Sequence, residues 1–97
     1  MTTLLNVLTV DPANQATLLE LLRANTDAVV RTLDGWIATS LIASADGTRI
    51  VIRSEWRDAA CIEGMRRDPR MAADFPRIAA LAAFDSIVGE VAYSATA

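Results

Sequence analysis

The chain has 97 residues, of which 53% are hydrophobic, and its formal net charge is −3 at pH 7. This length fits a single domain, expected to span residues 1–97, and leaves no room for a second. The 9 basic residues are scattered among 12 acidic ones, so the basic stripe of a nucleic-acid interface is absent. There is no histidine and Cys61 is the only cysteine, which excludes an internal disulfide and removes the commonest side chain of zinc, haem and Ser-His-Asp sites.

Charged residues interrupt the apolar runs at short intervals, so no segment approaches the roughly 20 residues that cross a membrane. No basic segment followed by an apolar stretch comes after Met1. We therefore expect a cytoplasmic protein with neither a membrane nor a nucleic-acid partner. A chain this short buries only part of its apolar surface by itself, and a mean hydropathy of +0.30 predicts that a second copy covers some of the rest.

The N-terminal third predicts a strand and then a long helix. Residues 3–10 are mostly apolar and predict a buried strand, although Asn6 is an unfavourable residue there. A buried amide without partners costs about 1–3 kcal/mol. Asp11 and Pro12 form an N-cap followed by proline at the first helical position. Apolar residues at steps of three and four then predict an amphipathic helix over residues 12–33.

The middle of the chain predicts a β-hairpin. Residues 36–44 are rich in β-forming side chains, and residues 49–56 alternate apolar with charged side chains. Asp46 and Gly47 between them are a common turn pair. Strands two and three should therefore pair with each other in antiparallel fashion.

The C-terminal third predicts a broken helix and a last strand. Asp58 can cap a first helical piece and Asp68 a second, and Pro76 is expected to interrupt the helix again before it resumes. The broken helix should span residues 58–83, and residues 85–94 should form the final strand.

The resulting order, β-α-β-β-α-β, is that of the ferredoxin-like fold in the α+β class. This fold has one antiparallel sheet with both helices on one side, so its other face is left bare. Pairing two such faces would bury both. We therefore expect a homodimer in which two subunits form a dimeric α+β barrel.

Two segments are similar to a known family. LDGWIATSL, residues 33–41, is similar to the pattern xxGFxxxxL of the family's second strand. DGTRIVIRSEWRDAACIEGMRRDPR, residues 46–70, is similar to its hairpin and following helix, with a tryptophan at the strand end and a later Asp-Pro pair. The chain thus resembles the antibiotic biosynthesis monooxygenases, which include anthrone oxygenases of aromatic polyketide pathways and haem-degrading enzymes. The resemblance extends over nearly the whole chain.

The resemblance also implies site residues. Anthrone-oxidising members use an asparagine on the first strand, a tryptophan at the end of the third and an arginine in the later helical segment. These catalytic positions match Asn6, Trp56 and, after a shift of a few residues, Arg77. The expected substrate-binding residues are Ile52, Ile62, Phe75 and Arg53.

Some family positions carry different residues in this chain. Ile52 and Ile62 stand where one type of member has an asparagine and a tyrosine, so that polar set is not reproduced. The histidine ligand of the haem-degrading members matches a position close to Arg66. Because the chain has no histidine, haem degradation is not expected.

The activity implied is a cofactor-independent monooxygenase that oxidises a phenolic or anthrone-type polyketide intermediate to a quinone with O2, without a metal. Asn6 would donate its amide N–H to the enolate oxygen, Trp56 would stack on the flat substrate, and Arg77 would pair with a phenolate. Each also has a purely structural interpretation. Asn6 could be a satisfied core amide, Trp56 an aromatic plug, and Arg77 the partner of Asp74 in an exposed ion pair.

Two other functions stay open at the level of the sequence. A polyketide cyclase or isomerase on the same fold would use the same enolate stabilisation. A non-catalytic dimer could instead bind a small hydrophobic ligand. A further open question is whether Asn6, on the same side of its strand as Leu4 and Leu8, faces the cavity or the helices.

Overall fold

A computed structural model describes all residues, 1–97, as a sheet of four strands with three α-helices. In chain order the elements are β1 (Thr2–Val10), α1 (Gln15–Ala28), β2 (Trp36–Ala43), β3 (Arg49–Trp56), α2 (Ala59–Arg67), α3 (Pro69–Ala79) and β4 (Ala82–Gly89). Short 3-10 turns, Pro12–Asn14 and Val30–Thr32, lie on either side of α1. None of these helices is both long and apolar enough to cross a bilayer.

The strands are ordered β2-β3-β1-β4, and every neighbouring pair is antiparallel. This is the ferredoxin-like arrangement expected from the sequence. At the centre of the sheet, Asn6 of β1 lies opposite Ile52 of β3 on one side and Ser86 of β4 on the other. Since paired residues point to the same face of a sheet, these three side chains share one face.

The helix starts follow the Asp-based signals in the sequence. The carboxylates of Asp11, Asp58 and Asp68 each accept a hydrogen bond from a backbone N–H two or three residues later, at 2.8–3.0 Å. Proline follows two of these caps, at Pro12 and Pro69, where its missing N–H costs nothing. Cap and proline together therefore fix where these segments begin.

The second helical region differs from the expectation in where it breaks. Pro76 lies inside α3 without interrupting it, and the break falls between α2 and α3 at Asp68. Pro76 removes a single intrahelical N–H, and the helix continues past it, since the backbone N–H of Ala80 bonds the Pro76 carbonyl at 3.0 Å. The extended cap conformation of Asp68 (ψ 128°) is what ends α2.

Two other boundaries were also wrong. The first helix ends at Ala28, not at residue 33, because the β-branched Val29 leaves the helical region (φ −122°, ψ −63°) and a 3-10 turn follows. The last strand spans Ala82–Gly89 and not residues 85–94. Tyr93, expected within that strand, is 84% exposed and belongs to no element.

The core lies between the helices and one face of the sheet, in two clusters. The first contains Leu8, Val10, Leu18, Leu22, Ile50 and Ile78, and the second Leu4, Val30, Trp56, Cys61 and Ile62. Each cluster joins β1 and β3 to helical residues. Between the clusters the sheet carries Asn6 and Ile52, which are only half-buried, and this is where the packing leaves space.

The opposite face of the sheet, here called the open face, has no helix over it. Its centre is apolar, with Leu5, Val7, Ile42, Val51 and Ile87 on neighbouring strands. Ile42 and Ile87 are 53% and 58% exposed. An exposed apolar patch across four strands is typical of an association surface.

Candidate active site

A cavity of about 540 Å³ lies between the sheet and the helices. Its lining is mostly apolar, with a few polar side chains: Leu4, Asn6, Leu22, Asn25, Ile52, Met65, Arg66, Met71, Ala72, Asp74, Phe75, Ile78, Phe84 and Ser86. Sites for small aromatic molecules typically have this composition, in which apolar walls supply affinity and a few polar groups fix orientation.

Asn6 is the polar group at the centre of the sheet side of the cavity. Its side-chain oxygen accepts a hydrogen bond from the hydroxyl of Ser86 on β4. No group of the chain bonds its Nδ2, so the two N–H donors of the amide are free for a ligand. The side chain of Asn6 faces the helices and the cavity alike, because the cavity lies between the sheet and the helices.

The helix side of the cavity carries a second polar pair, Asn25 of α1 and Asp74 of α3. The amide of Asn25 donates to Asp74 Oδ2 at 2.7 Å and also lies 3.5 Å from the sulfur of Met71. Asn25 is only 7% exposed, and its hydrogen bond connects α1 to α3 across the cavity. Sequence reasoning missed this pair, because Asn25 sits in a helical pattern like any surface amide.

Trp56 lies beside the cavity, at a smaller void that adjoins it. It is fully buried, and its indole N–H donates to the hydroxyl of Ser54 at 3.0 Å. A smaller void of about 60 Å³ adjoins the main cavity here and is lined by Trp56, Ser54 and Thr39 together with several residues of the main cavity. The indole N–H of Trp56 is therefore already engaged within the chain.

The exposed rim of the cavity is formed by aromatic rings and one arginine. The rings of Phe75 and Phe84 lie 5.4 Å apart, and both side chains are partly exposed at 53% and 38%. Arg66 is the only basic residue of the lining, and its guanidinium bonds Glu63 at 2.7 Å, which leaves further N–H donors free. A flat ligand would pass these rings on entry.

The structure brings some of the expected site residues together and separates others. Asn6, Ile52 and Phe75 line the main cavity, whereas Trp56 lines only the small void that adjoins it. Ile62, by contrast, is 1% exposed and packs in the core beside Trp56.

The two expected arginines do not reach the cavity. Arg77 lines a neighbouring cleft between α1 and α3, which shares Asn25, Asp74 and Ile78 with the cavity. It makes no ion pair with Asp74. Arg53 lies on the open face, where it bonds Glu55 at 3.0 Å. Hydrogen bonds to Glu55 from the hydroxyl of Thr3 and then from Arg53 lower the pKa of that carboxyl. The cation at the cavity is Arg66, a position that sequence reasoning connected only with the absent haem ligand.

A second cleft, of about 300 Å³, surrounds Cys61 and a surface ion pair. Arg57 bonds both carboxylate oxygens of Asp34 at 2.8 and 3.2 Å, which lowers the pKa of Asp34. Burial raises the pKa of the Cys61 thiol despite the nearby guanidinium of Arg57. Since the thiolate is the reactive form, this cysteine is a packing residue, as expected.

The chain belongs to the antibiotic biosynthesis monooxygenase family, whose sequence profile matches residues 1–73. It is a monooxygenase of this family and is 30% identical over 92 residues to the tetracenomycin-F1 monooxygenase of Streptomyces glaucescens. That alignment covers 95% of this chain and 82% of the relative. No cluster of three His, Cys, Asp or Glu side chains that could hold a metal ion occurs in the chain.

Solved structures share the fold over almost the full length. The ActVA-Orf6 monooxygenase of Streptomyces coelicolor, solved with nanaomycin D, superposes with a TM-score of 0.88 at 22% identity, covering 99% of this chain and 91% of that one. SnoaB of Streptomyces nogalater, described as a cofactor-independent oxygenase, gives 0.81 at 19% identity, with coverage of 96% and 94%. The cofactor-independent chemistry expected from the sequence is thus the chemistry for which SnoaB is described.

Proposed function

We propose that this protein is a cofactor-independent monooxygenase that uses O2 to oxidise a phenolic or anthrone-type polyketide intermediate to a quinone. The observation that carries the proposal is Asn6, whose oxygen is held by Ser86 while its N–H donors have no partner in a mostly apolar cavity. Two relatives support a polycyclic aromatic substrate: one is named as the tetracenomycin-F1 monooxygenase, and the ActVA-Orf6 structure holds the ligand nanaomycin D.

The chemistry needs little from the protein. Once ionised, an anthrone is a delocalised carbanion that can give one electron to O2, and the resulting radicals combine to a peroxide that loses water to leave the quinone. As negative charge develops on the substrate oxygen, the amide of Asn6 donates a hydrogen bond to it from a fixed position. Ser86 keeps that amide from rotating, so its dipole is oriented before the substrate arrives.

The walls and rim match a flat, electron-rich substrate. Met65 and Met71 line the space between sheet and helices, and thioethers adapt well to aromatic rings. The partly exposed Phe75 and Phe84 can stack on a ring near the entrance. Arg66 lines the cavity and would pair with a phenolate or quinone oxygen there, the role that the family resemblance implied for Arg77.

We further propose that two copies associate through the open face to form a dimer. The apolar residues Leu5, Val7 and Val51 at its centre pack under no helix of their own chain. A cleft of about 430 Å³ at its edge is lined by Ile87, Val91 and other residues. Burying such a patch contributes about 25 cal/mol per Å² of apolar surface.

A direct test is the oxidation of the synthetic anthrone dithranol by the purified protein. We expect quinone absorbance to rise faster than in the uncatalysed reaction in air, with one O2 consumed per quinone and no acceleration under nitrogen. A protein heated until unfolded is the matched control for adventitious metal. Absence of acceleration with dithranol and with a panel of larger anthrones would overturn the proposal.

Oxygen uptake also distinguishes the cyclase or isomerase alternative. A cyclase that stabilises an enolate with Asn6 would convert a poly-β-ketone equally well under nitrogen. The monooxygenase requires O2 in stoichiometric amount, which an oxygen electrode measures. Its product is also heavier than the substrate by about 14 Da, because a CH2 becomes a carbonyl, so the two activities are distinguished by O2 uptake and product mass.

A further inference from the structure

Asp74 is the only acidic residue that lines the cavity, and it makes no ion pair, although Arg77 also lines the neighbouring cleft to which Asp74 belongs. Asn25 donates to its Oδ2 at 2.7 Å, while Oδ1 has no partner in the chain. The ion pairs of the chain involve other carboxylates, among them Asp34, Asp68 and Glu55. A half-buried carboxylate with one oxygen anchored by an amide and the other free is arranged to accept a proton.

The two polar pairs lie on opposite sides of the space for the substrate. Asn6 and Ser86 belong to strands of the sheet, whereas Asn25 and Asp74 belong to α1 and α3. A ligand between sheet and helices therefore meets hydrogen-bond donors on one side and a carboxylate on the other. Formation of an enolate needs this combination, because a proton leaves carbon while charge builds on oxygen.

We propose that Asp74 is the general base that removes the carbon-bound proton of the substrate, with Asn25 as the residue that positions it. This inference rests on the proposed oxidation. The C–H bond breaks, its proton moves to Asp74 Oδ1, and its electron pair delocalises onto the substrate oxygen that Asn6 binds. When the carbanion has combined with O2, Asp74 returns the proton to the peroxide anion and is ionised again.

The test follows exchange of hydrogen for deuterium at the acidic methylene of dithranol, in D2O without oxygen, by proton NMR. Wild type should accelerate exchange, and Asp74→Asn should reduce that acceleration by about 10²–10⁴, the usual contribution of a general base. Asp74→Glu, which keeps a carboxylate on a longer stem, should retain more exchange than Asp74→Asn. The matched control Asp27→Asn, at an exposed site of α1, should exchange at the wild-type rate.

Anaerobic exchange distinguishes a base from a purely structural link between α1 and α3. Asp74→Asn keeps the size of the side chain and can still bond Asn25, so its melting temperature should stay close to that of wild type. Wild-type exchange in Asp74→Asn would overturn the inference. So would an enzyme that oxidises dithranol in air yet does not accelerate exchange, since the oxidation would then stand without a base. If neither reaction is accelerated with any anthrone, the proposed function itself fails.

Discussion

The two faces of the sheet are built from alternating residues of the same strands, yet they differ in which groups lack a partner. On the helix-covered face the apolar side chains of β1 and β3 are packed, and the groups without a partner are polar: the N–H donors of Asn6 and, on α3 across the cavity, one oxygen of Asp74. On the open face the polar Thr3, Arg53 and Glu55 bond one another, and the apolar centre is uncovered. The first pattern suits a small-molecule site, and the second suits association with another chain.

Among the tests of this difference between the two faces, removal of the Asn6 amide should have the largest effect. Asn6→Ala should lower the rate of dithranol oxidation by about 10²–10³, because one preformed donor to a developing oxyanion is worth that much in other enzymes. The control is Asn14→Ala, since the side chain of Asn14 makes no capping bond and lies away from the cavity. If Asn6→Ala keeps its rate and only melts earlier, Asn6 is a structural amide.

The proposed association through the open face can be disrupted by a substitution that does not alter the cavity. Val7→Asp would place a carboxylate at the apolar centre, directly opposite Asp85 of β4. We expect the proposed dimer to dissociate at least about 100-fold more readily, as like charges and desolvation both oppose burial. Sedimentation equilibrium measures this, with Ala45→Asp in the exposed β2–β3 turn as control. An unchanged dimer in Val7→Asp means that this face is not the interface.

The packing of the covered face can be tested at two glycines. Gly35 has φ +79°, and a Cβ there would lie 2.3 Å from the sulfur of Cys61 on α2, so Gly35→Ala should lower the free energy of unfolding by about 1–3 kcal/mol. Gly64, also on the α2 side, has open space around it, and Gly64→Ala should raise stability by about 0.5–1 kcal/mol. Urea denaturation of both variants gives the two values. If both substitutions change the free energy of unfolding by the same amount, α2 does not pack closely against Gly35.

The smallest expected effect sharpens the role of Ser86. Ser86→Ala keeps Asn6 but removes the hydroxyl that holds its oxygen. A neutral hydrogen bond is worth about 1 kcal/mol, so kcat should fall about fivefold while the melting temperature changes little. A rate loss as large as that of Asn6→Ala would instead indicate that the serine itself contacts the substrate.

Local signals in the sequence were sufficient for most of the fold. The Asp-Pro caps, the Asp-Gly turn and the alternation in residues 49–56 act over a few residues, and the corresponding elements formed where expected. Pro76 was misjudged because the loss of one N–H donor did not outweigh the remaining hydrogen bonds and packing of α3, which the local sequence does not show. The length of the last strand depended on pairing with β1, which no local pattern records.

Ile52 and Phe75 were placed at the cavity by the family resemblance, whereas the sequence pattern itself indicated only Asn6. Asn6 is conspicuous among apolar neighbours, and the period of two places it with Leu4 and Leu8 on the covered face. Asp74 became a cavity residue through its contact with Asn25, 49 positions earlier, and that contact depends on how α1 and α3 pack. Arg77, three residues after Asp74, faces a different cleft for the same reason.

The bond between Ser86 and Asn6 joins residues 80 positions apart, on the last strand and the first. Contacts of such long range carry a larger loop-closure entropy than local ones, so we expect β4 to pair with β1 after the local helices and the hairpin have formed. Until β4 has docked, the amide is free to rotate and Phe84 is missing from the rim. The rate at which activity returns during refolding should therefore equal the rate at which β4 pairs with β1, so an activity assay would report the pairing of the final strand.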